Sequence, residues 1–114
     1  MSEDCIFCKI IKKEIPSELV LESKDFIAIN NIHPKAPIHI LVMPKAHIEK
    51  VDSISGVNRD LWSDMILFAN EIISKFDLDK SGYRIINNGA GYHGVDHEHI
   101  HIMGGKDWKP GDGL

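Results

Sequence analysis

The sequence predicts an α+β domain, in which a mainly antiparallel sheet of five strands is accompanied by one main helix and a short N-terminal helix. Two observations favour this class. Short apolar stretches are separated by tight turns, as is typical of antiparallel strands. One long block with helical spacing connects the third stretch to the fourth. We expect residues 1–114 to form a single domain with a C-terminal tail from about residue 104.

The N-terminal elements come first in this scheme. "CIFCKIIKKEI" predicts a short amphipathic helix that ends before Pro16. "ELVLES" and "FIAINN" predict two strands with a tight turn around Lys24 and Asp25. We expect the apolar side of the helix to consist of Ile6, Phe7, Ile10 and Ile11.

The middle of the chain supplies a third strand and the main helix. "IHILVMP" predicts a strand that ends at Pro44. Its alternation places His39, Leu41 and Met43 on one face, and residues 38, 40 and 42 on the other. The block "GVNRDLWSDMILFANEIISKF" predicts the main helix. Its apolar residues at helical spacing are Leu61, Met65, Phe68, Ala69, Ile72, Ile73 and Phe76.

The last predicted strands are "GYRIINN" and "HEHIHIM", the second of which we expect to stop at Gly104 and Gly105. In an extended strand the alternate residues His97, His99 and His101 share a face, roughly 6.5–7 Å apart. The glycine-rich loop before them, residues 89–94, allows backbone N–H groups to approach an anion. Spacing alone is consistent with either a metal site or phosphoryl-transfer chemistry.

Composition excludes several classes of partner. The net charge is −4, which argues against a general nucleic-acid-binding or anionic-membrane-binding surface. No apolar run approaches the length of a membrane span, and the N-terminus lacks the features of a signal peptide. We therefore expect a cytoplasmic protein. In a reducing compartment, the C-x-x-C spacing of Cys5 and Cys8 favours a metal or redox site over a disulfide.

Several motifs together resemble the histidine-triad (HIT) family. "HEHIHIM" resembles its signature of three histidines that alternate with apolar residues, and "PKAPIHILVMPKAH" resembles the segment ahead of it. The likeness extends over nearly the whole chain and is to the nucleotide-binding branch, in the bacterial type with C-x-x-C. It implies a HIT-like fold and a nucleotidyl hydrolase or transferase that acts at the α-phosphate of a purine nucleotide, such as a nucleoside phosphoramidate or an adenylyl conjugate.

The resemblance also implies roles for single residues. His99 is the nucleophile that forms a nucleotidyl-histidine intermediate, His101 contacts the phosphate, and His39 supports the triad. Asn87 matches an asparagine at the phosphate. The remaining positions that match the nucleotide site are Ile6, Phe7, Ile10, Ile29, Asn31, Ile32, His93, Gly94 and Val95. For the aliphatic residues among them, plain core packing is an equal alternative.

Four positions depart from the family pattern. Asn31 stands where an aspartate often accepts hydrogen bonds from both ribose hydroxyls. His93 and Gly94 occupy a loop region that often holds glutamine and serine. Glu98 replaces an apolar residue, and we expect it to face solvent or a partner.

Bacterial relatives in this family hold zinc with C-x-x-C and two histidines. Carried onto this sequence, the ligands of a structural zinc are Cys5, Cys8, His47 and His97. The alternative is that both cysteines are buried apolar residues. The chemistry itself requires no metal in this interpretation.

The resemblance further implies a homodimer with an AMP-like ligand. We expect phosphoramidate or adenylyl-conjugate hydrolysis first and dinucleoside polyphosphate hydrolysis second. Two rivals remain, namely a nucleotide- or partner-binding module with vestigial catalysis, and a catalytic metal site in the triad whose metal-bound water is the nucleophile.

Overall fold

The computed structural model describes residues 5–56, 58–89 and 94–109. Within these ranges the helices are α1 (Ile6–Ile11), α2 (Lys50–Ser53), α3 (Leu61–Lys75) and α4 (Leu78–Ser81). The strands are β1 (Leu19–Glu22), β2 (Phe26–Asn30), β3 (Ile38–Pro44), β4 (Tyr83–Ile86) and β5 (Ile100–Gly104).

The five strands form one antiparallel sheet in the order β1-β2-β3-β5-β4. Strands β3 and β5 are therefore central neighbours, although the whole of α3 lies between them in sequence. Their register pairs His39 with Met103 and Leu41 with His101. This pairing brings histidines from two distant segments onto the same face of the sheet.

The first face of the sheet packs against α3 and forms the main core. Its strand residues include Ile40, Val42, Ile100 and Ile102. The helix buries one side, as its spacing predicts, whereas Leu67 on the other side remains exposed. The helix residues in this core are Leu61, Met65, Phe68, Ala69, Ile72 and Ile73.

The second face packs against α1 and forms a smaller core that adjoins the histidines. Leu41 and Met43 from β3 and Ile27 and Ile29 from β2 lie here. The predicted alternation of β3 is thereby confirmed, since its odd-numbered and even-numbered residues belong to different cores.

Two details of the predicted elements were wrong. The last strand begins at Ile100 rather than at His97, and it includes Gly104. On α1 the buried residues are Phe7 and Cys8, whereas Ile6 is 44% exposed and Ile10 is only partly buried. The single-turn helices α2 and α4 were not predicted, because four residues are too few to show a period.

Gly104 permits a close approach between β5 and β4. A Cβ atom at this position would lie 2.6 Å from the carbonyl oxygen of Gly82, so no other residue fits without a backbone movement. Among the described residues, no helix has the length and apolar character needed to cross a membrane.

Candidate active site and metal cluster

The three alternating histidines have different surroundings, although their spacing is regular. His97 is fully buried and its ring lies 5.0 Å from that of His47. The His99 and His101 rings are 5.2 Å apart. His101 contacts His39 on the neighbouring strand. His97 therefore belongs to a cluster at the end of β3, His99 is buried between its neighbours, and His101 adjoins His39.

A backbone carbonyl determines the tautomer of His99. Its Nδ1 lies 3.0 Å from the carbonyl oxygen of His97, which can only accept a hydrogen bond. In the neutral imidazole the proton therefore resides on Nδ1 and the lone pair on Nε2. The ring also meets Phe7 edge-on, with centroids 4.9 Å apart, so that α1 limits its rotation.

Two consecutive hydrogen bonds, from Lys35 to His39 and from His39 to His101, determine the tautomer of His101; we call this pair of histidines the relay. The backbone N–H of Lys35 donates to Nδ1 of His39 at 3.0 Å, which leaves the proton of neutral His39 on Nε2. That Nε2 lies 2.9 Å from Nδ1 of His101 and donates to it. Neutral His101 consequently carries its own proton on Nε2. The two histidines thus present complementary atoms, a lone pair on His99 and an N–H donor on His101.

Asn31 lies beside this relay. Its side-chain oxygen accepts the backbone N–H of His33 at 2.9 Å. Its Nδ2 is 3.3 Å from Nε2 of His39, where both nitrogens carry protons, so this contact is longer than the bond from His39 to His101. Asn31 therefore lies close to the relay without accepting its proton.

The environment keeps these imidazoles neutral. Burial, reinforced by the nearby His99 and His39, lowers the pKa of His101 to about 4. Burial also lowers the pKa of His39, with a smaller contribution from the positive charge of Lys35. At neutral pH both His39 and His101 are therefore uncharged, as their assigned tautomers require.

Cys5, Cys8, His47 and His97 form a cluster that can hold a metal ion. One ligand atom from each of the four lies within 4.8 Å of all the others. The sulfur-to-Nδ1 distances are 3.4 Å for Cys5 and His97, 3.3 Å for Cys8 and His47, and 3.5 Å for Cys8 and His97. Tetrahedral zinc, with bonds of about 2.3 Å to sulfur and 2.0–2.1 Å to nitrogen, requires roughly 3.5 Å for these edges. The donor set and its spacing fit zinc.

The surroundings of the cluster also suit a metal. Nε2 of His97 donates to the carbonyl oxygen of Pro44 at 2.8 Å, which leaves Nδ1 as the atom directed towards the cysteines. Burial raises the pKa of the Cys5 thiol in the metal-free chain, so binding of a metal has to displace its proton. Burial likewise lowers the pKa of His97, which favours the neutral imidazole that a metal needs.

Glu98 is buried, contrary to the expectation that it faces solvent or a partner. Only 3% of the residue is exposed. Burial works to raise the pKa of its carboxyl group, but hydrogen bonds from Lys50, Ser53 and Asn87 outweigh this effect and hold the pKa below its usual value. The sequence carried one signal for this, since a charged residue interrupted an otherwise apolar pattern, but no signal for its partners.

The residues expected to surround a nucleotide are dispersed around the histidines. Phe7 and Ile29 are buried, whereas Ile32 is 80% exposed. Both N–H groups of the Asn87 amide have partners, Glu98 at 2.7 Å and the His99 carbonyl at 3.0 Å. His93 lies outside the described residues. Of the remaining expected residues, Ile10 is partly buried beside the second core, Val95 packs against it, and Ile6 and Gly94 are exposed.

An open cleft lies beside the relay. Its volume is about 410 Å³, and the described residues that line it include no carboxylate. His39 and His101 form one wall, and a single lysine, Lys35, also lines it. The cleft is large enough for part of a nucleotide-sized ligand.

A larger cleft, of about 550 Å³, lies between the end of β3 and the start of α3, and no histidine is among the described residues that line it. We place the candidate site at the smaller cleft, because only there do imidazoles converge with defined tautomers.

A family model for the HIT domain matches residues 12–108. The chain belongs to the HIT family. A HIT-like protein from Buchnera aphidicola is 41% identical over 104 residues, which cover 89% of this chain and 92% of the relative. A histidine triad protein from Clostridium difficile superposes with a TM-score of 0.87 at 39% identity, over 98% of this chain and 99% of that chain. A HIT family hydrolase from Clostridium thermocellum gives a TM-score of 0.86 at 39% identity with the same coverage.

Membership of the HIT family confirms the expected fold. The five-stranded antiparallel sheet and its helices match the HIT structures over nearly their whole length. In general terms, the HIT hydrolase fold supports nucleotide hydrolase or transferase chemistry.

Proposed function

We propose that this HIT protein hydrolyses nucleoside phosphoramidates or related adenylyl conjugates at the α-phosphate of a purine nucleotide, with His99 as the nucleophile. The observation that carries the proposal is the pair of opposite tautomers at His99 and His101. A nucleophile requires a lone pair, and a group that stabilises phosphate oxygens requires an N–H.

The reaction has two steps. In the first, the lone pair on Nε2 of His99 forms a bond to phosphorus, and the leaving group departs with the electron pair of its own bond and takes up a proton from solvent. In the second, water forms a bond to phosphorus and gives up a proton to solvent, and the P–N bond breaks with its electron pair returned to His99. The products are a nucleoside monophosphate and the protonated leaving group.

His101 stabilises charge in both steps. Its Nε2–H donates to a non-bridging phosphate oxygen, and its Nδ1 accepts from His39 as described above. The bond between Nδ1 of His99 and the His97 carbonyl keeps the nucleophilic nitrogen aimed away from the backbone and stabilises the imidazolium that develops at intermediate stages.

The rival with a catalytic metal in the triad has less support. Among the described residues, potential metal ligands cluster in a group of four, Cys5, Cys8, His47 and His97. Of the three alternating histidines it includes only His97. We propose that this cluster holds a structural zinc ion. The zinc would tie α1 to the end of β3 and to the residues before β5.

We also propose a cytoplasmic homodimer. The outer side of α3 exposes Leu67 and Ile66, which are 64% and 37% exposed, and the edge strand β4 exposes Tyr83 at 45%. Exposed apolar side chains and the outer edge of a sheet are both typical places for a second copy to bind. Light scattering coupled to size-exclusion chromatography measures the mass, and a monomer at micromolar concentration would contradict this proposal.

One set of assays tests the function. The wild-type protein and His99→Ala are incubated with an AMP–amine conjugate and with a diadenosine polyphosphate, with and without a chelator. We expect chelator-resistant turnover in wild-type protein, faster on the conjugate, and none in His99→Ala. Faster turnover of the diadenosine compound would favour the dinucleoside polyphosphate branch, and nucleotide binding without turnover would indicate a binding module. Loss of turnover on chelation with the fold intact would favour metal-bound water.

A further inference from the structure

Two side chains form hydrogen bonds with the backbone of His99. Strand β5 begins one residue later, at Ile100. The N–H of His99 donates to Oε1 of Glu98 at 2.9 Å, and the carbonyl oxygen of His99 accepts from Nδ2 of Asn87 at 3.0 Å. Both backbone polar groups of His99 therefore have a side-chain partner.

The two oxygens of Glu98 have different partners. Oε1 accepts from the His99 N–H and, at 2.7 Å, from Nδ2 of Asn87. Oε2 accepts from Oγ of Ser53 at 2.5 Å and from Nζ of Lys50 at 2.7 Å. The first oxygen therefore faces the histidine, and the second faces α2.

A buried carboxylate of this kind is costly unless all its partners are present. The Glu98 side chain is 1% exposed and that of Lys50 is 14% exposed. Nζ of Lys50 also donates to Oδ1 of Asn87 at 2.6 Å. Glu98, Lys50 and Asn87 therefore each contact the other two. An apolar residue at position 98 would fill the space but would supply no acceptor to His99.

From this network we infer that Glu98 is a positioning residue for the nucleophile. Glu98 accepts a hydrogen bond from the backbone N–H of His99, and it orients the Asn87 amide that donates to the His99 carbonyl oxygen. The inference rests on the proposed function, since it assumes that the His99 ring attacks phosphorus. Attack requires reacting atoms about 3–3.5 Å apart, so a small displacement of this backbone slows the reaction without removing the nucleotide pocket.

The test compares two double variants that differ only at position 98. In both, Lys50→Met removes the buried positive charge. One carries Glu98→Leu, which has no acceptor, and the other carries Glu98→Gln, which retains an oxygen for the His99 N–H. With the AMP–amine conjugate we expect kcat to fall at least about tenfold in the leucine variant and to stay within about threefold of wild type in the glutamine variant. The dissociation constant for AMP should change less than about threefold in both.

Ser53→Ala is a further control, because, of the two carboxylate oxygens of Glu98, the Ser53 hydroxyl bonds to Oε2, which faces away from His99. We expect its kcat to stay within about twofold of wild type. Equal kcat values in the leucine and glutamine variants would overturn the inference, as would a leucine variant in which only the AMP dissociation constant changes. Zinc content is measured in each variant, because His97 is adjacent to Glu98.

A second measurement is independent of turnover. Hydrogen exchange of the His99 amide in wild-type protein should be slow, although this residue precedes the strand, and at least about tenfold faster in the leucine variant than in the glutamine variant. Exchange at the rate of an unprotected amide in wild-type protein overturns the inference even if the leucine variant does not fold. Absent turnover in wild-type protein counts against the proposed function alone, and the exchange data then decide whether Glu98 holds His99.

Discussion

Nε2 of His39 lies 2.9 Å from Nδ1 of His101, so an imidazole–imidazole hydrogen bond connects the central strands β3 and β5 in addition to their backbone ladder. Removal of His39 should act through His101. We expect His101→Ala to lower kcat by about 10- to 100-fold and His39→Ala by about 3- to 10-fold. The double variant should be no slower than His101→Ala. Steady-state kinetics of the four proteins measure this, and additive losses would indicate that His39 acts independently.

The lowered pKa of His101 makes stability depend on pH. Its pKa is about 4 in the folded chain, against 6.5 ordinarily, so between these values the unfolded chain holds a proton that the folded chain lacks. The free energy of unfolding should be highest above pH 6.5 and fall towards pH 4, by up to about 1.4 kcal/mol per pH unit. Urea titrations at pH 5 and 7 measure the difference. His101→Asn should show a smaller difference, and an unchanged one would contradict the assignment.

Removal of the metal should destabilise the protein. Elemental analysis of untagged protein should give about one zinc per chain, and chelation should lower Tm because the cluster joins α1 to two parts of the sheet. Cys8→Ser should abolish stoichiometric zinc. His33→Asn is the matched control, since His33 is an exposed histidine outside the cluster, and it should bind zinc as wild type does. Wild-type protein without zinc after zinc-supplemented expression would exclude the proposed site.

The packing of α3 predicts a contrast between two positions on one helix. Met65 is fully buried against the sheet, and Leu67 is 64% exposed. Met65→Ala should lower the free energy of unfolding by about 2–5 kcal/mol, because it leaves a cavity. Leu67→Ala should change it by less than about 0.5 kcal/mol in the monomeric chain. Chemical denaturation measures both. At concentrations where the proposed homodimer forms, a larger effect of Leu67→Ala would place this residue in the subunit interface.

The sequence predicted elements best where a period is repeated over several residues. In β3 the alternation extends over seven residues, so the separation of Leu41 and Met43 from Ile40 and Val42 was predicted and is confirmed. The same alternation at His97–His99 was misleading, because the strand begins only at Ile100 and the backbone of His99 bonds to the side chains of Asn87 and Glu98. A side-chain hydrogen bond to the backbone leaves no periodic trace in the sequence.

The candidate site was predictable in its residue types but less so in its connections. Family resemblance brought together Cys5, Cys8, His47 and His97, and the geometry supports that grouping. Nothing in the spacing showed that His97 would be fully buried beside Pro44, because that contact depends on how β3 ends.

The buried pair of Lys50 and Glu98 also restricts how the sequence can change over time. Loss of either partner alone leaves the other group without its opposite charge, and removal of one partner of a buried ion pair costs about 3–5 kcal/mol in typical proteins. That is a large share of the roughly 5–15 kcal/mol by which domains are stable. Substitutions at positions 50 and 98 should therefore be correlated among related sequences. Lineages with an apolar residue before the second histidine of the triad are expected to have replaced the lysine as well.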